Sequence, residues 1–381
     1  MRWKIDRHAC LRMTAWLLLA LVLTGAELKQ PPGEAIAKIR EQCYAILRQA
    51  MKSEEAFIRS GAARAIGESG DSSLLPLMEK ATQDFYPTTR QFALQGFPRL
   101  SREKTLQVAR AGLADSNIWV KSTALDLLAD LEDKESIPAI LPLLEAPDRM
   151  VRLAAAYALV RLGDEEHLGE ITGSVHGGNV VHRFQAITYL GKIPLKQARQ
   201  LLRELLESND EQVLSAALKA IGDQADMELF RPLVQLGLHS SSLVRRNAVL
   251  ALGYLPPNAV TREVSPFCRD TDPLVQLAAA LSMHRLGSTE CNGLFEELLN
   301  HKDFAVRAST ARVLGDVKIS NRTALLAKAL GDANSRVRTA AARAAGMMGG
   351  SEAFQLLIQM LDDPQEVIRA YAAGNLLRLM N

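Results

Sequence analysis

The stretch VRTAAARAAG at residues 337–346 decides the fold, because related versions of it recur every 31 residues along the chain. Its first residue has a counterpart at eleven positions, here called marks, namely Ile58, Thr89, Val120, Val151, His182, Val213, Val244, Val275, Val306, Val337 and Ile368. The residue after a mark is Lys or Arg in nine copies, and the residue four past it is Ala in ten. Positions 0, 4, 7 and 8 share one face of a helix, so each copy is predicted to form a helix with one buried stripe.

A second helical pattern precedes each mark, with apolar residues eleven and seven positions before it, as in Leu326 with Leu330. Each 31-residue unit is therefore predicted to be a pair of helices. One pair cannot enclose a core, whereas stacked pairs share one. The sequence predicts an all-α solenoid, a superhelix of about eleven two-helix repeats over residues 42–381, with about 22 helices and no β-sheet. Gly stands nine past the mark in six copies and suggests a left-handed cap there, at Gly67, Gly191, Gly222, Gly253, Gly315 and Gly346.

Residues 1–26 lie outside the repeats and are typical of a secretory signal. Four cations precede an apolar run at residues 15–23, and small residues follow at 24–26. The run is shorter than the roughly 20 residues that a spanning helix needs, so an uncleaved membrane anchor is the less favoured alternative. We expect an exported protein, periplasmic or secreted, in which residues 27–41 lead into the repeats at 42–381.

The charge balance of the repeat region indicates which class of partner is less favoured. Without residues 1–26, 41 Lys and Arg stand against 42 Asp and Glu. That balance does not favour a nucleic-acid partner, which usually requires a basic surface.

Cys268 and Cys291 fall near opposite ends of neighbouring first helices, farther apart than the roughly 7 Å that a disulfide allows. Together with Cys43 they are expected to be buried thiols.

The pattern resembles the HEAT repeat, especially the short variety of phycobilisome-lyase-like HEAT proteins. The resemblance covers about 340 residues and rests on the Val-Arg start of the second helix, Pro76 and Pro138 in first helices, and an Asp six residues before the Arg. It implies an Asp–Arg ladder between neighbouring repeats, which would include Asp84, Arg90, Asp115, Lys121, Asp332, Arg338, Asp363 and Arg369. We expect gaps, since Asp270 faces a unit with Gln276 and Arg245 follows a unit with His239 at the acidic position. The alternative role for the cationic column is a ligand site.

No catalytic, cofactor-binding or metal-binding residue is predicted. HEAT-like deoxyhypusine hydroxylases hold iron through His-Glu dipeptides, and the sequence has none. The densest histidine stretch, His167, His176 and His182, is spread over a helix start, a loop and a mark, which does not favour three ligands meeting at one ion.

The candidate binding surface is the concave stripe of the second helices, two and six residues past each mark. Its candidate partner-binding residues are Leu153, Tyr157, Phe184, Arg246, Leu250, Leu277 and Leu281. Contiguous exposed apolar groups often mark partner sites. Two interpretations stay open at this point: a groove for a protein or peptide partner, or contacts between adjacent repeats.

The sequence therefore predicts an exported scaffold or adaptor for protein partners, and the alternative is an enzyme or enzyme subunit of the lyase-like HEAT class acting on a cofactor-bearing protein. The chain also ends in an apolar run at residues 376–380. That run suggests self-association through the last helix.

Overall fold

The computed structural model describes residues 33–177, 179–222 and 226–381, and in these residues it contains 22 α-helices and no strand. The predicted signal peptide, residues 1–26, lies outside them. First helices of the repeats are α1 (Gly33–Ala50), α3 (Leu75–Ala81), α5 (Arg102–Gly112), α7 (Ile137–Ile140), α9 (Leu168–Val175), α11 (Lys196–Glu204), α13 (Phe230–Gly237), α15 (Pro257–Val264), α17 (Gly293–Leu299), α19 (Arg322–Leu330) and α21 (Gly350–Gln359). Helix α1 runs through residues 41 and 42, so the predicted start of the array at 42 does not coincide with a break.

Second helices carry the marks. They are α2 (Ala56–Ser69), α4 (Pro87–Leu100), α6 (Ile118–Asp130), α8 (Arg149–Arg161), α10 (Val180–Lys192), α12 (Glu211–Ile221), α14 (Ser242–Leu252), α16 (Pro273–Arg285), α18 (Phe304–Val313), α20 (Ser335–Met348) and α22 (Glu366–Met380). Ten of the eleven marks are buried, and so is every residue four or eight past a mark. The predicted all-α repeat fold is confirmed.

The start of most second helices is fixed by an Asn or Asp three residues before the mark. In seven repeats this side chain accepts a hydrogen bond from a backbone N–H of the first helical turn, at Asn117, Asp148, Asn179, Asp210, Asp272, Asp303 and Asn334. Such caps satisfy backbone donors that the helix itself leaves unpaired.

The glycines nine past the mark are not left-handed, so the expectation of left-handed caps is wrong. Gly222 and Gly253 have φ angles of −40° and −66°, and the left-handed glycines are elsewhere. Five of the six, all except Gly222, instead allow close approach between neighbouring second helices. A Cβ placed on Gly67 would stand 2.5 Å from the Cα of Gly96 in the next repeat.

The two ends of the array meet, and the stack closes into a ring. Each second helix packs against the next from α2 to α22, and α22 packs in turn against α2 and α1. At this junction, here called the seam, Gly374 lies against the backbone of Ala65 and Gly61 lies against the Val367 side chain. Leu376 and Leu377 are fully buried. The apolar end of the chain is thus covered by the first repeat, which removes the reason for expecting self-association through it.

Polar contacts also cross the seam. Arg40 of α1 donates to the Asn381 Oδ1 atom at 3.0 Å and to the Met380 carbonyl at 3.0 Å. The Arg343 guanidinium of α20 pairs with the Glu68 carboxylate of α2. The seam therefore combines close backbone packing with charged contacts between residues about 275 to 340 positions apart in the chain.

Candidate interaction surface

The apolar stripe predicted to line an open concave face is largely buried. Leu153 and Tyr157 are fully enclosed, and Leu277 and Leu281 are 5% and 7% exposed. Phe184, Arg246 and Leu250 are half-buried. The expectation of exposed side chains is therefore wrong for Leu153, Tyr157, Leu277 and Leu281, whereas Phe184, Arg246 and Leu250 keep part of their surface accessible.

Tyr157 illustrates how this stripe is buried. Its ring stacks on that of Tyr189, with centroids 4.1 Å apart and an interplanar angle of 6°. The Lys192 ammonium lies 5.7 Å from the Tyr157 ring centroid. Of the two interpretations of this stripe, contact between adjacent repeats is the one that the geometry supports.

Beside the tyrosine pair lies Asp126 of α6, a half-buried residue with one fully buried carboxylate oxygen. Burial raises its pKa to about 6, although the nearby Lys192 ammonium acts in the opposite direction. Burial also raises the pKa of both tyrosines, with nearby Asp126 adding to the effect. One Asp126 oxygen and both tyrosine hydroxyls are buried without a protein partner in the structure. The inner face of α6, α8 and α10 thus holds a polar cluster inside the core.

The Asp–Arg ladder is present, with each Arg bonded forward to the Asp of the following repeat. Five such pairs occur, Arg59–Asp84, Arg90–Asp115, Arg245–Asp270, Arg307–Asp332 and Arg338–Asp363, at 2.6 to 2.8 Å. Each guanidinium also donates to two carbonyl groups of the turn before its own helix, as Arg90 does to Asp84 and Phe85. The predicted gap at Arg245 and Asp270 is therefore wrong, since these two residues bond to each other.

The remaining ladder residues behave differently. Arg369 donates to the carbonyls of Asp363 and Pro364 in its own turn. Lys121 takes part in none of the ion pairs formed by the described residues, and Ala146 occupies the position its partner would need. Hydrogen bonds from Arg307 hold the pKa of Asp332 below its ordinary value, although burial acts in the opposite direction. The paired arginines hold the repeats together and are not a free ligand column.

Cys268 and Cys291 form a disulfide with a Cα–Cα distance of 6.1 Å, so the expectation of two separate thiols is wrong. Successive first helices are staggered, and the end of one lies beside the start of the next. The same stagger brings Arg110 within 2.6 Å of Asp133 and the Ser265 hydroxyl within 2.7 Å of Glu290. Cys43 remains a buried free thiol, and burial raises its pKa to about 12.

Four of the six exposed aromatic side chains in the described residues lie where first helices lead into second helices of the first three repeats; the other two are Tyr254 and Phe304. Phe57, Phe85, Tyr86 and Trp119 belong to the first three repeats and are 69%, 95%, 45% and 46% exposed. We call these four residues the aromatic rim. Sequence reasoning missed them because they lie outside the helical stripe that it followed.

One signal in the sequence could have revealed the rim. Tyr86 stands three before its mark, at the position that is Asn, Asp or Ser in eight repeats, and it makes no capping bond. Losing such a cap costs roughly 0.5 to 2 kcal/mol. The second repeat therefore exposes Phe85 and Tyr86 where the fold favours a short polar residue.

Below Phe85 an outer groove of about 870 Å³ separates α3 from α5. Its apolar lining consists of Phe85, Leu94, Val108, Ala111, Ala114 and Val120, of which Leu94 and Val120 are only 2% exposed. Its charged lining residues are paired within the chain, including Lys104 with Glu79 at 3.0 Å and Arg90 with Asp115 at 2.7 Å. Phe85 thus belongs to both the groove and the aromatic rim.

Residues 33–177, 179–222 and 226–381 hold no group of three or more His, Cys, Asp or Glu placed to bind a metal ion. In the same residues, no helix combines the length and the apolar character that crossing a membrane requires.

Comparison with known proteins identifies the repeats. A family profile described as HEAT repeats matches residues 103–176 and 291–377. The phycocyanobilin lyase subunit alpha of Nostoc sp. is 29% identical over 180 residues, which are 43% of this chain and 63% of that protein. The chain thus spans less than two thirds of this relative. The HEAT repeats inferred from the sequence pattern are confirmed.

Three solved structures that align with this chain are the following. An engineered protein is 18% identical, with a TM-score of 0.31, and covers 89% of this chain and 99% of its own. Human deoxyhypusine hydroxylase in complex with glycerol is 18% identical, with a TM-score of 0.35, over 73% and 96%. A mutant of Kap121p is 12% identical, with a TM-score of 0.41, over 97% and 52%.

Proposed function

We propose that this chain is an exported scaffold that holds partner proteins at the aromatic rim of its HEAT-repeat ring. The observation that carries the proposal is the exposure of four aromatic side chains in three consecutive repeats, at positions where the fold does not require them. Aromatic residues are enriched among those that dominate the energy of protein interfaces.

Export is supported by two features of the chain. The Cys268–Cys291 disulfide is of the kind that persists in oxidising compartments, and residues 1–26 have the pattern of a cleaved signal. Fractionation followed by N-terminal sequencing is expected to find the chain in the exported fraction, beginning near Glu27. A cytosolic chain that keeps Met1 and reduced cysteines would overturn this part of the proposal.

The test of the rim is affinity capture from the exported fraction with the chain from residue 27 onward. Changing Phe57 and Phe85 together to Ser should lower partner recovery sharply, since one aromatic anchor is typically worth 2 kcal/mol or more, about thirtyfold in affinity. Leu238→Ser is the matched control, because Leu238 is 70% exposed in the seventh repeat. If the double variant is folded and retrieves the same partners as the control, the rim is not the binding surface.

A second candidate function follows from the lyase subunit found in Nostoc sp.. In that case the chain would be an enzyme subunit acting on a cofactor-bearing protein. The visible absorption spectrum of protein purified from its native host distinguishes the two. A bound chromophore favours the lyase-like function, whereas a spectrum limited to the ultraviolet favours the scaffold.

A further inference from the structure

The residue five positions before each mark fixes the turn that leads into most second helices. In nine repeats its side chain accepts a hydrogen bond from the backbone N–H two residues later, at 2.8 to 3.3 Å. The acceptors are Ser53, Asp84, Asp115, Ser208, His239, Asp270, His301, Asp332 and Asp363. The other two repeats have Ala146 and Gly177 at this position, and neither residue has a side chain that can accept a hydrogen bond. We call these two positions the ladder gaps.

The five aspartates of the ladder show which chemical group this position holds. Each carboxylate accepts the backbone N–H of its own turn at 2.8 Å. Each also accepts two bonds from the Nε and Nη2 atoms of the Arg in the preceding repeat, as Asp115 does from Arg90 at 2.7 Å. A planar guanidinium and a carboxylate match in this two-bond geometry. The position is therefore a carboxylate site that two neighbouring repeats form together.

Arg152 has the orientation of a paired ladder arginine, yet it bonds to no carboxylate of the described residues. Its Nη1 atom donates to the carbonyls of Ala146 and Pro147 at 2.7 and 3.0 Å. Arg90 makes the same two contacts in its own turn. The repeat after Arg152 has Gly177 where the repeat after a paired arginine has Asp, and Arg152 is half-buried. The two donors that a paired arginine gives to Asp therefore remain for another carboxylate.

The ladder gap at Gly177 has room for such a group. A Cβ placed on Gly177 would meet no atom closer than the Gly173 carbonyl oxygen, 3.9 Å away. The φ angle of Gly177 is not in the left-handed region, so a side chain there would not strain the turn. The carboxylate is thus missing because of the sequence and not because the space is filled.

Lys121 and Ala146 repeat this arrangement one repeat earlier. Lys121 is half-buried and belongs to none of the ion pairs formed by the described residues. Of the two acidic residues in the turn after it, Asp148 caps α8 and Glu145 is exposed. Packed helices lie roughly 8 to 10 Å apart, so the two ladder gaps are separated by about that distance. An extended chain rises about 3.3 Å per residue, so acidic side chains three residues apart match this spacing.

We propose that the ladder gaps bind the carboxylate groups of an acidic ligand, with Arg152 as the main contact at Gly177 and Lys121 at Ala146. A carboxylate at Gly177 accepts two bonds from Arg152 and one from the Asn179 N–H, the same set of donors that holds each Asp of the ladder. This inference goes beyond the proposed function and does not depend on the aromatic rim. The two surfaces are nevertheless close in the fold, since the ladder gaps occupy the corresponding turns of the next two repeats.

Isothermal titration calorimetry of the purified chain tests the proposal. The probe is acetyl-hexaglutamate amide, and acetyl-hexaglutamine amide is its uncharged control. We expect the first peptide to bind and the second not to bind. Because the contacts are partly exposed ion pairs, the Kd for hexaglutamate should rise at least about threefold between 50 and 500 mM NaCl. Equal binding of the two peptides overturns the proposal.

Two further probes distinguish the sources of a carboxylate. Glutarate, a free dicarboxylate, is titrated in the same way. A Kd for glutarate within about threefold of the hexaglutamate value supports a small carboxylate ligand, whereas a much weaker one supports an acidic polypeptide that fills both ladder gaps. If neither carboxylate probe binds, the proposal fails. Inorganic phosphate that binds in their place would overturn the carboxylate assignment as well.

Three variants locate the site. Gly177→Asp supplies the missing carboxylate from the chain itself, so it should pair with Arg152, raise the melting temperature and raise the Kd for hexaglutamate at least about tenfold. Arg152→Gln removes the guanidinium and should weaken binding by a similar factor. Gly293→Asp is the matched control, because it adds the same charge at an exposed position of the ninth repeat where nothing lies within 4 Å of the new Cβ. Its Kd should stay within about twofold of the parent value.

Comparison of these variants decides the outcome. Gly177→Asp keeps every contact of the parent chain, and circular dichroism checks the fold of all three variants. If Gly177→Asp binds hexaglutamate as tightly as Gly293→Asp does, the ladder gaps are not the carboxylate site. Phe57→Ser should leave hexaglutamate binding unchanged, so failure of the rim and failure of the ladder gaps are observed separately.

Discussion

The seam can be tested with a single methyl group. In the change Gly374→Ala, the new Cβ would stand 2.4 Å from the Ala65 carbonyl oxygen and 2.9 Å from its carbon. These are backbone atoms of α2, so relief requires one helix to move. Overpacking of this kind typically costs about 1 to 3 kcal/mol.

The matched control is Gly173→Ala in α9, where nothing lies within 4 Å of the new Cβ. Both glycines are helical, and Ala is favoured over Gly in a helix by roughly 0.5 to 1 kcal/mol. This gain is common to the two variants. The difference between their free energies of unfolding therefore isolates the seam and is expected to be about 1 to 3 kcal/mol, with Gly374→Ala the less stable.

Urea unfolding, followed by circular dichroism, measures both values. Trp119 is the one tryptophan beyond residue 26 and gives a second, fluorescence signal. If both variants gain stability equally, α22 does not pack on α2 and the array is an open solenoid. Small-angle X-ray scattering would then report a longer maximum dimension than a ring allows.

Three further predictions concern the core. Asp126→Asn should stabilise the chain at pH 7 by about 1 to 3 kcal/mol. Folding raises the pKa of the Asp126 carboxyl to about 6, so the stability that this group contributes below pH 4 is lost as the pH rises through 6. Urea titrations should therefore show no difference from the parent near pH 4. Ala217→Leu should lower the free energy of unfolding by about 1 to 3 kcal/mol, whereas Lys219→Ala, on the exposed side of the helix, should change it by about 0.5 kcal/mol or less. Equal shifts in the melting temperatures of the two variants would contradict this assignment of the buried and exposed helix faces. Reduction of the Cys268–Cys291 disulfide, which joins residues 23 apart, should cost about 3 kcal/mol in urea unfolding, and an unchanged midpoint would contradict the bond.

The repeat fold was predictable because its determinants are local. The spacing of marks such as Val306 and Val337 places the buried stripe on every second helix, and each helix pair buries that stripe against its neighbours. The presence of an Asp–Arg ladder between repeats was also predictable. Its direction was not, because the sequence alone does not say whether Arg245 reaches back to the position of His239 or forward to Asp270.

The parts that sequence reasoning missed depend on the small offsets between repeats. The disulfide at Cys268 requires a stagger of the first helices, and the burial of Tyr157 depends on how close the second helices approach. Closure of the ring depends on the rotation per repeat, summed over all eleven. Gly61 and Gly374 are among the residues suited to this closure, because they allow close contact between repeats that are far apart in the chain.

Closure of the ring also changes the role of the first and last repeats. An open repeat array can lengthen or shorten by whole units, because its terminal units face solvent. Here the first and last units are neighbours, and Arg40 bonds to Asn381. Deleting one 31-residue unit would leave a wedge that the others must close by bending, so the number of units is fixed by geometry. By the same reasoning, a linker from Asn381 to Gly33, the first residue of α1, would permit a circular permutation with its new termini in an exposed turn.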